Sequence, residues 1–371
     1  MGLLHLGESH KVPRLDFELT PGCDHGCSHC YNVWNAEDGE PQGGYPTGQL
    51  RTPETLAMME KAVRESGAEH ITLTGGEPLL RKDAVEVIRK AASLVPSLQL
   101  ITNGSHVTPE VVRCLAEVRI RSVQLTLLSA DRARHDALKG AVCFDDTVRA
   151  ILDLLDAVVA VQVCFVSMRE NWRDLESVME LCFALGVRAL TYNRMSPTGG
   201  ATHHVARLLP SVDEVEHNLD TAERLGRQWG IRVATAMPVP PCLIRLERYT
   251  WVTFGFCSVG TASPNITIDA LGNVRSCNLS SNVLGNITRQ TWAEIHGSPY
   301  LRTFKSKVPE VCRGCAYETS CQGGCKESGF AMFGDLASAE PFLAMGLDPS
   351  LRDRIAVPVT RLSLGRRATA R

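Results

Sequence analysis

From residue 15 to about residue 230 the chain alternates short apolar runs with longer amphipathic ones, and this alternation restricts its folds more than any other feature. The short runs are Leu15–Leu19, His70–Leu73, Leu98–Thr102, Ser122–Leu127, Val161–Val166 and Ala189–Tyr192, each of strand length. Between them Pro53–Glu65, Lys82–Ala92, Pro109–Glu117, Asp146–Asp156 and Arg173–Leu185 read as helices, and Val212–Trp229 follows the last strand. Helix starts are marked by Thr52 with Glu54 close behind, by Thr108 before Pro109, and by Ser211 with Glu214 three residues on. Strand–helix units in unbroken succession place the strands in parallel. Six units fall short of a closed eight-unit barrel, so the α/β fold expected is a partial (β/α)6 barrel or an open doubly wound sheet.

Near residue 236 the texture changes. Met237–Pro241 is Pro-rich and reads as a linker. Beyond it Asn265–Asp269 and Asn273–Cys277 flank Ala270-Leu271-Gly272, the pattern of a hairpin with glycine at the turn. A short helix is expected at Thr291–His296, and clustered cysteines follow. The expected organisation is an N-terminal extension over 1–14, the partial barrel over 15–235, a small cysteine-rich domain over 236–340 and a tail over 341–371. Only that tail is basic, through Arg361, Arg366, Arg367 and Arg371, and it reads as a solvated end. A net charge of −2 offers no broad basic surface for nucleic acid or an anionic membrane. No apolar stretch approaches the ~20 residues of a membrane span. Gly7, Glu8, Ser9 and His10 cut short the apolar run Met1–Leu6, so no signal peptide is read and a cytoplasmic protein is expected. Fourteen cysteines in a compartment that keeps thiols reduced point to metal or cluster ligation rather than disulfides.

The first predicted strand runs directly into Pro21-Gly22-Cys23-Asp24-His25-Gly26-Cys27-Ser28-His29-Cys30-Tyr31. A tight C-x3-C-x2-C loop can aim three thiolates at one cubane cluster. Three protein ligands leave one iron open to substrate or cofactor, by the logic that separates open catalytic zinc sites from closed structural ones. The alternative is a zinc loop, with His25 or His29 as a fourth ligand. This motif after a first strand resembles the signature of the radical S-adenosylmethionine superfamily. The resemblance implies a [4Fe-4S] cluster whose fourth iron is chelated by the amino and carboxylate groups of S-adenosylmethionine. One electron from the cluster then releases a 5′-deoxyadenosyl radical, which abstracts hydrogen from an unactivated C–H bond. It also places His29 near the adenine.

Further elements stand at successive strand ends. Thr74-Gly75-Gly76-Glu77-Pro78 ends the second strand; its glycines permit close backbone approach and Glu77 can accept hydrogen bonds from an ammonium group, although a plain turn reads equally well. By resemblance Gly75, Gly76 and Glu77 bind the methionine amino group. Thr102-Asn103-Gly104 ends the third strand, where Asn103 is expected to order the pocket or simply to form an Asn-Gly turn. The resemblance gives Thr126, on the fourth strand, a contact to the ribose or carboxylate. It gives Lys139 a pairing with the cofactor carboxylate, the alternative being a solvated lysine. In parallel sheets and barrels ligands bind at the C-terminal strand ends, so these elements would converge on one mouth.

Two cysteine patterns follow: Cys257-x14-Gly272-x4-Cys277, and Cys312-x2-Cys315-x5-Cys321-x3-Cys325. Together they resemble the SPASM auxiliary-cluster domain, with a zinc ribbon as the alternative for the second run. The resemblance implies one auxiliary [4Fe-4S] cluster on Cys257, Cys277 and Cys325, with Cys242 as candidate fourth ligand. It implies a second on Cys312, Cys315 and Cys321. The family has one more cysteine past the dense run and this sequence has none after Cys325. Asp335 or Glu340 could ligate there, one iron could be open, or that cluster could be absent. Cys114, Cys143, Cys164 and Cys182 fit no spacing and read as buried thiols.

The function expected by resemblance is oxidative modification or crosslinking of a ribosomal peptide or protein side chain. The alternative is radical oxidation or rearrangement of a small molecule. A non-catalytic cluster scaffold is opposed by Gly75–Pro78 and Lys139. Asn278 stands where sulfatase-maturing relatives carry aspartate, and an amide cannot act as a base, so formylglycine formation is disfavoured. Few residues precede the first strand, so recognition of a leader peptide would fall to a separate protein or to the barrel surface. A small electron donor such as flavodoxin or ferredoxin is the other partner expected. Tyr192, Asn193 and Arg194 are candidates to line the pocket, with core packing an equal reading for Tyr192, and no general base is legible.

Overall fold

The computed structural model describes residues 13–34, 45–261 and 263–348. The six expected strands are present as β1 (Arg14–Glu18), β2 (His70–Thr74), β3 (Ser97–Thr102), β4 (Ser122–Thr126), β5 (Val161–Ser167) and β6 (Ala189–Arg194). The parallel array runs on through β7 (Arg232–Thr235) and β8 (Thr253–Phe254), which the sequence reading had not marked. Neither is long enough to show an alternation of its own, and β7 directly follows a long helix. β9 (Asn265–Ile268), β10 (Asn273–Arg275) and β11 (Val283–Asn286) lie at the opposite edge. One sheet of eleven strands results, in the order β11-β10-β9-β1-β2-β3-β4-β5-β6-β7-β8. It is an open partial barrel: the two edges, β11 and β8, are not paired with one another.

The sheet ignores the boundary expected near residue 236. β9 pairs in parallel with β1, Arg14 opposite Asn265 through Phe17 opposite Ile268. The expected hairpin is β9–β10, its turn held by Asp269, which accepts from the backbone N–H groups of Leu271 and Asn273. Gly272, at φ +84°, closes that turn in the left-handed region where a side chain is strained.

Helices α1 (Thr52–Ser66), α2 (Ala84–Leu94), α3 (Pro109–Glu117), α4 (Arg132–Lys139), α5 (Phe144–Asp156), α6 (Leu175–Leu185), α7 (Val205–Leu208) and α8 (Val212–Trp229) cover the outside of the barrel. Thr108 and Ser211 cap α3 and α8 as expected, accepting from Val111 and Glu214; α1 begins at Thr52 itself, with Arg51 as its cap. The short, highly charged α4 had escaped the sequence reading. Asp131 caps it by accepting from the Arg134 N–H, and Gly140, at φ +62°, ends it. The cysteine-rich region holds α9 (Trp292–His296), α10 (Pro299–Ser306), α11 (Glu318–Cys321), α12 (Lys326–Phe333) and α13 (Pro341–Leu347). α13 falls in the segment expected as tail, yet Phe342 and Leu343 are buried. The four arginines of that tail and most of the N-terminal extension lie outside the described residues. No helix among the described residues is long and apolar enough to cross a membrane.

Successive strand residues face opposite sides of a sheet. One side of the barrel strands presents Leu15, Phe17, Ile71, Leu73, Leu98, Leu100, Val123, Leu125, Val163, Phe165, Leu190 and Tyr192 to Met59, Val87, Leu115, Ile151, Met179 and Leu219 of the helices, all buried. The other side is polar. Gln99 donates to Gln162 (3.3 Å), Gln162 to Thr191 (2.5 Å) and Thr191 to Gln124 (3.4 Å), a hydrogen-bonded layer across the barrel interior. A polar floor of this kind suits a barrel that opens to a charged ligand.

Candidate functional site

The cysteine loop leaves β1 and crosses the C-terminal end of the barrel. Three glycines clamp it. A Cβ on Gly76 would lie 2.1 Å from the Gly22 carbonyl oxygen and 2.8 Å from that of Pro21. One on Gly140 would lie 2.6 Å from the carbonyl oxygen of Gly26, and one on Gly199 would lie 2.3 Å from that of Asn32. Backbone therefore rests on backbone before, within and after the C-x3-C-x2-C run, where only glycine fits. Hydrogen bonds fix the same contacts: Gly76 N–H to Thr20 O and Glu77 N–H to Gly22 O, both 2.8 Å, and Ala201 N–H to Cys30 O, 2.9 Å. The Asn32 amide donates to Gly75 O (3.0 Å), and the Cys27 thiol to Lys139 O (3.4 Å). Cys23 is exposed and Cys27 and Cys30 are half-buried, so the three thiols stand at the barrel mouth rather than in its core.

Glu77 is fully buried, and its carboxylate accepts from Thr102 Oγ1 (2.7 Å) and from the backbone N–H groups of Asn103 (2.7 Å) and Leu79 (3.0 Å). It thus ties the ends of β2 and β3 together, and an incoming ammonium group would share oxygens already in use. Burial pushes its pKa up. Asn103 continues the chain of contacts. Its amide donates to Asp24 Oδ1 (2.7 Å), and Asp24 Oδ2 meets His106 Nε2 (3.0 Å). His25 Nε2 lies 3.0 Å from Ser105 Oγ, and its Nδ1 is buried without a partner among the described residues.

Lys139, the last residue of α4, is 3% exposed. Among the described residues its ammonium makes no hydrogen bond and no ion pair. Its charge is nevertheless felt by His29, His135 and Cys164, which places it against the barrel interior. A largely buried side chain whose ammonium has no protein anion leaves that charge available to an anionic ligand at the mouth. Burial, with the charges of Lys139 and His135, pushes the His29 imidazole down to about 3, so the ring is neutral. Its Nδ1 is buried without a partner. Thr126 ends β4, partly buried and on the polar side with Gln124. An orphaned cation, an orphaned ring nitrogen and three thiols at one mouth fit a three-ligand iron–sulfur cluster that binds an amino acid-like cofactor through its open iron. His135, Asp136 and Cys143 also lie close together, but His135 Nδ1 accepts from Leu128 N–H, and Asp136 accepts from the N–H groups of Cys143 and Phe144, so they cap chain ends.

The three candidates on β6 divide between the two faces of the sheet. Tyr192 packs in the core at 0% exposure, stacked on Phe165. Arg194 is also on the helix-facing side, where it donates to Pro238 O and pairs with Glu340 over the Phe342 ring. Only Asn193 faces the interior, and its side-chain oxygen accepts from Ala236 and Met237. Strand parity explains all three: residues two apart share a face.

The C-terminal thiols form two groups. Cys257, Cys277 and Cys325 lie within electrostatic reach of one another and of the buried Glu327, which accepts from Ser276 (3.1 Å) and Tyr300 (2.9 Å). Burial pushes the Cys325 thiol up to about 12 and that of Cys277 well above the usual value. Metal coordination would reverse this, because a bound cation favours thiolates. Cys312, Cys315 and Cys321 form the second group, around a small recess that Cys242 also lines. Cys242, expected beside Cys257, thus stands with the other group. Glu340, a candidate ligand for that group, is engaged by Arg194, and Asp335 is exposed; neither lines the recess. Cys114, Cys143, Cys164 and Cys182 are buried as expected.

Known proteins group with this chain on the same two regions. Residues 17–182 match the family described as the Radical SAM superfamily, and residues 257–316 match SPASM, described as an iron-sulfur cluster-binding domain. The PqqA peptide cyclase of Rhizobium meliloti (strain 1021) is 25% identical over 356 residues, covering 93% of this chain and 90% of its own. The AdoMet-dependent heme synthase of Methanosarcina barkeri is 26% identical over 358 residues, covering 90% and 96%. Among solved structures, Streptococcus suis SuiB bound to precursor peptide SuiA superposes with a TM-score of 0.67 at 15% identity, covering 85% of this chain and 72% of that one.

Proposed function

From a chain that belongs to the radical S-adenosylmethionine superfamily and carries a C-terminal SPASM iron–sulfur domain, we propose an enzyme that oxidatively modifies or crosslinks a side chain of a ribosomally made peptide or protein. The observation that carries the reading is the Lys139 ammonium, with no anion of its own among the described residues, at the mouth that also holds Cys23, Cys27 and Cys30. A [4Fe-4S] cluster on those cysteines supplies one-electron cleavage of S-adenosylmethionine to a 5′-deoxyadenosyl radical that takes hydrogen from the substrate. The chain's own residues prepare the ground. Gly75 and Gly76 let the β2 end approach the cofactor amino group, Glu77 and Asn103 hold that end rigid, and Lys139 pairs with the carboxylate. His29 offers a neutral ring nitrogen to the adenine, and Thr126 a hydroxyl to the ribose or carboxylate. Cys257, Cys277 and Cys325, with the Cys312 group, are the proposed ligands of auxiliary clusters, which would supply an acceptor for the electron given up by the substrate radical. A flavodoxin- or ferredoxin-like donor in the cytoplasm, and a separate leader-binding protein, complete the proposal.

The peptide substrate is supported by the likeness to PqqA peptide cyclase. A second reading, oxidation of a small molecule, is favoured by the equal likeness to AdoMet-dependent heme synthase. The test is anaerobic turnover of reconstituted protein with S-adenosylmethionine, dithionite and a short peptide encoded beside its gene. Release of 5′-deoxyadenosine and a product lacking two hydrogen atoms per bond formed are expected. With Cys23, Cys27 and Cys30 replaced by alanine, both vanish. No 5′-deoxyadenosine from the intact protein refutes the radical reading. Its release over unchanged peptide, with a tetrapyrrole consumed in a parallel reaction to which one is added, favours the second one.

A further inference from the structure

We infer that Cys242 closes a four-thiolate site with Cys312, Cys315 and Cys321, and so completes the second auxiliary iron–sulfur cluster. The inference deepens the proposed function and rests on its reading of the C-terminal thiols as cluster ligands.

The four cysteines reach one recess from separate stretches of chain. Cys242 comes from the turn that follows the Pro-rich segment, Cys312 from the 3-10 turn Glu310–Cys312, and Cys321 from the end of α11. Cys315 lies between the last two, its N–H donating to Cys312 O (3.2 Å). The thiols face one another closely: negative charge on Cys321, Cys242 or Cys315 would repel charge on Cys312, and charge on Cys242 would repel charge on Cys321. Four thiolates in such proximity are stable only around a cationic centre. The site already contains donors suited to a thiolate, since the backbone N–H groups of Gly323 and Gly324 point at Cys321.

Two carboxylates lie nearby. Glu318 lines the recess and accepts from Gly314 N–H (2.7 Å) through one oxygen. Glu340 pairs with Arg194 through Oε1; its charge reaches Cys321, but it does not line the recess as Cys242 does. The closest charges around Cys257, Cys277 and Cys325 are one another, Lys326, Glu327 and Glu340, and Cys242 is not among them. Cys242 therefore takes the place of the cysteine missing after Cys325, and the other auxiliary group keeps three thiols among the described residues. Chain order hid this, because Cys242 precedes both patterns. Four thiolates with no open position make a closed site, suited to holding a cluster for electron transfer rather than for binding substrate.

The test reads iron, not turnover. In full-length protein with Cys23, Cys27 and Cys30 replaced by alanine, only auxiliary iron remains, about eight atoms for two clusters. Adding Cys242→Ala is expected to lower that count by the iron of one cluster, or by a single iron with the electron paramagnetic signature of a three-iron cluster. The change is expected to vanish when Cys312→Ala and Cys315→Ala are already present, and to persist on top of Cys257→Ala and Cys277→Ala. The reverse pattern, or an unchanged count and spectrum in Cys242→Ala, overturns the inference. So does zinc in place of iron at these four thiols, or a background variant that binds no iron. Radical chemistry is scored separately through 5′-deoxyadenosine, so failure of either claim is visible alone.

Discussion

Gly76→Ala tests the clamp on the cysteine loop directly. The new methyl would lie 2.1 Å from the Gly22 oxygen, 2.6 Å from the Gly22 carbonyl carbon and 2.8 Å from the Pro21 oxygen. The first of these is more than an ångström short of ordinary contact, and every atom struck is backbone, so no side-chain rotation relieves it. Overpacking of this kind costs about 1–3 kcal/mol. Separating the two segments also breaks Gly76 N–H to Thr20 O and Glu77 N–H to Gly22 O, each worth about 1 kcal/mol net. Clash and lost bonds together come to about 3–5 kcal/mol. The β2 end cannot yield, because Glu77 is pinned by Thr102, Asn103 and Leu79. The half-exposed loop yields instead and carries Cys23 with it. The expected result is loss of the first cluster's iron and of 5′-deoxyadenosine release, with auxiliary iron retained. Gly67→Ala is the control: at φ +69° it strains the end of α1 by about 1–2 kcal/mol, but its methyl meets nothing within 4 Å. It should lower the melting temperature and keep all the iron. Wild-type cluster content and 5′-deoxyadenosine yield in Gly76→Ala would refute the clamp.

Lys139→Met keeps the stem and removes the charge; S-adenosylmethionine affinity, measured by equilibrium dialysis, should fall roughly 10–100-fold, as for a charged hydrogen bond of about 1.5–3 kcal/mol, with partial recovery in Lys139→Arg. Unchanged affinity would remove Lys139 from the site. Asp16 is raised to about 6, chiefly by burial, against hydrogen bonds from Thr72 and Asn265 and the charge of Arg14. Its folded pKa exceeds the unfolded value, so its contribution is fully present below pH ~4 and is lost as pH rises through ~6. Asp16→Asn should therefore stabilise the protein at pH 8 by on the order of 3 kcal/mol, and the gain should shrink as pH falls toward 5.5. A gain that grows on acidification in melting curves would contradict this sign.

The barrel was legible in the sequence wherever an element was long and periodic enough to declare itself: β1 to β6 and the helices from α1 to α8, except α4 and the four-residue α7, occupy nearly the expected spans. β7, β8 and α4 were not, since two to four extended residues or two turns of charged helix carry no period. The three N-terminal cysteines were legible from their spacing. Their supports were not: Gly140 and Gly199 meet the loop from more than a hundred residues away, and a glycine's partner leaves no trace in local sequence. Asp24 and Asn32 were invisible for the same reason. Strand parity alone assigns Tyr192, whose reading as core holds, and Arg194 the face opposite Asn193. The place of Cys242 was beyond any spacing rule.

The pairing of β9 with β1 joins the strand that launches the Cys23 loop to the hairpin that carries Cys277. Arg275 on β10 pairs with Glu18, the last residue of β1, both buried. The two thiol sets therefore sit on one continuous beam rather than on two bodies joined by a hinge. Moving one against the other would require breaking strand pairs and exposing an ion pair. Any electron passed between them travels a fixed distance, so its rate answers to the relative potentials of donor and acceptor and to what fills the gap between them. Control of the final electron would then lie with the substrate that enters the mouth rather than with a shift of one thiol set against the other.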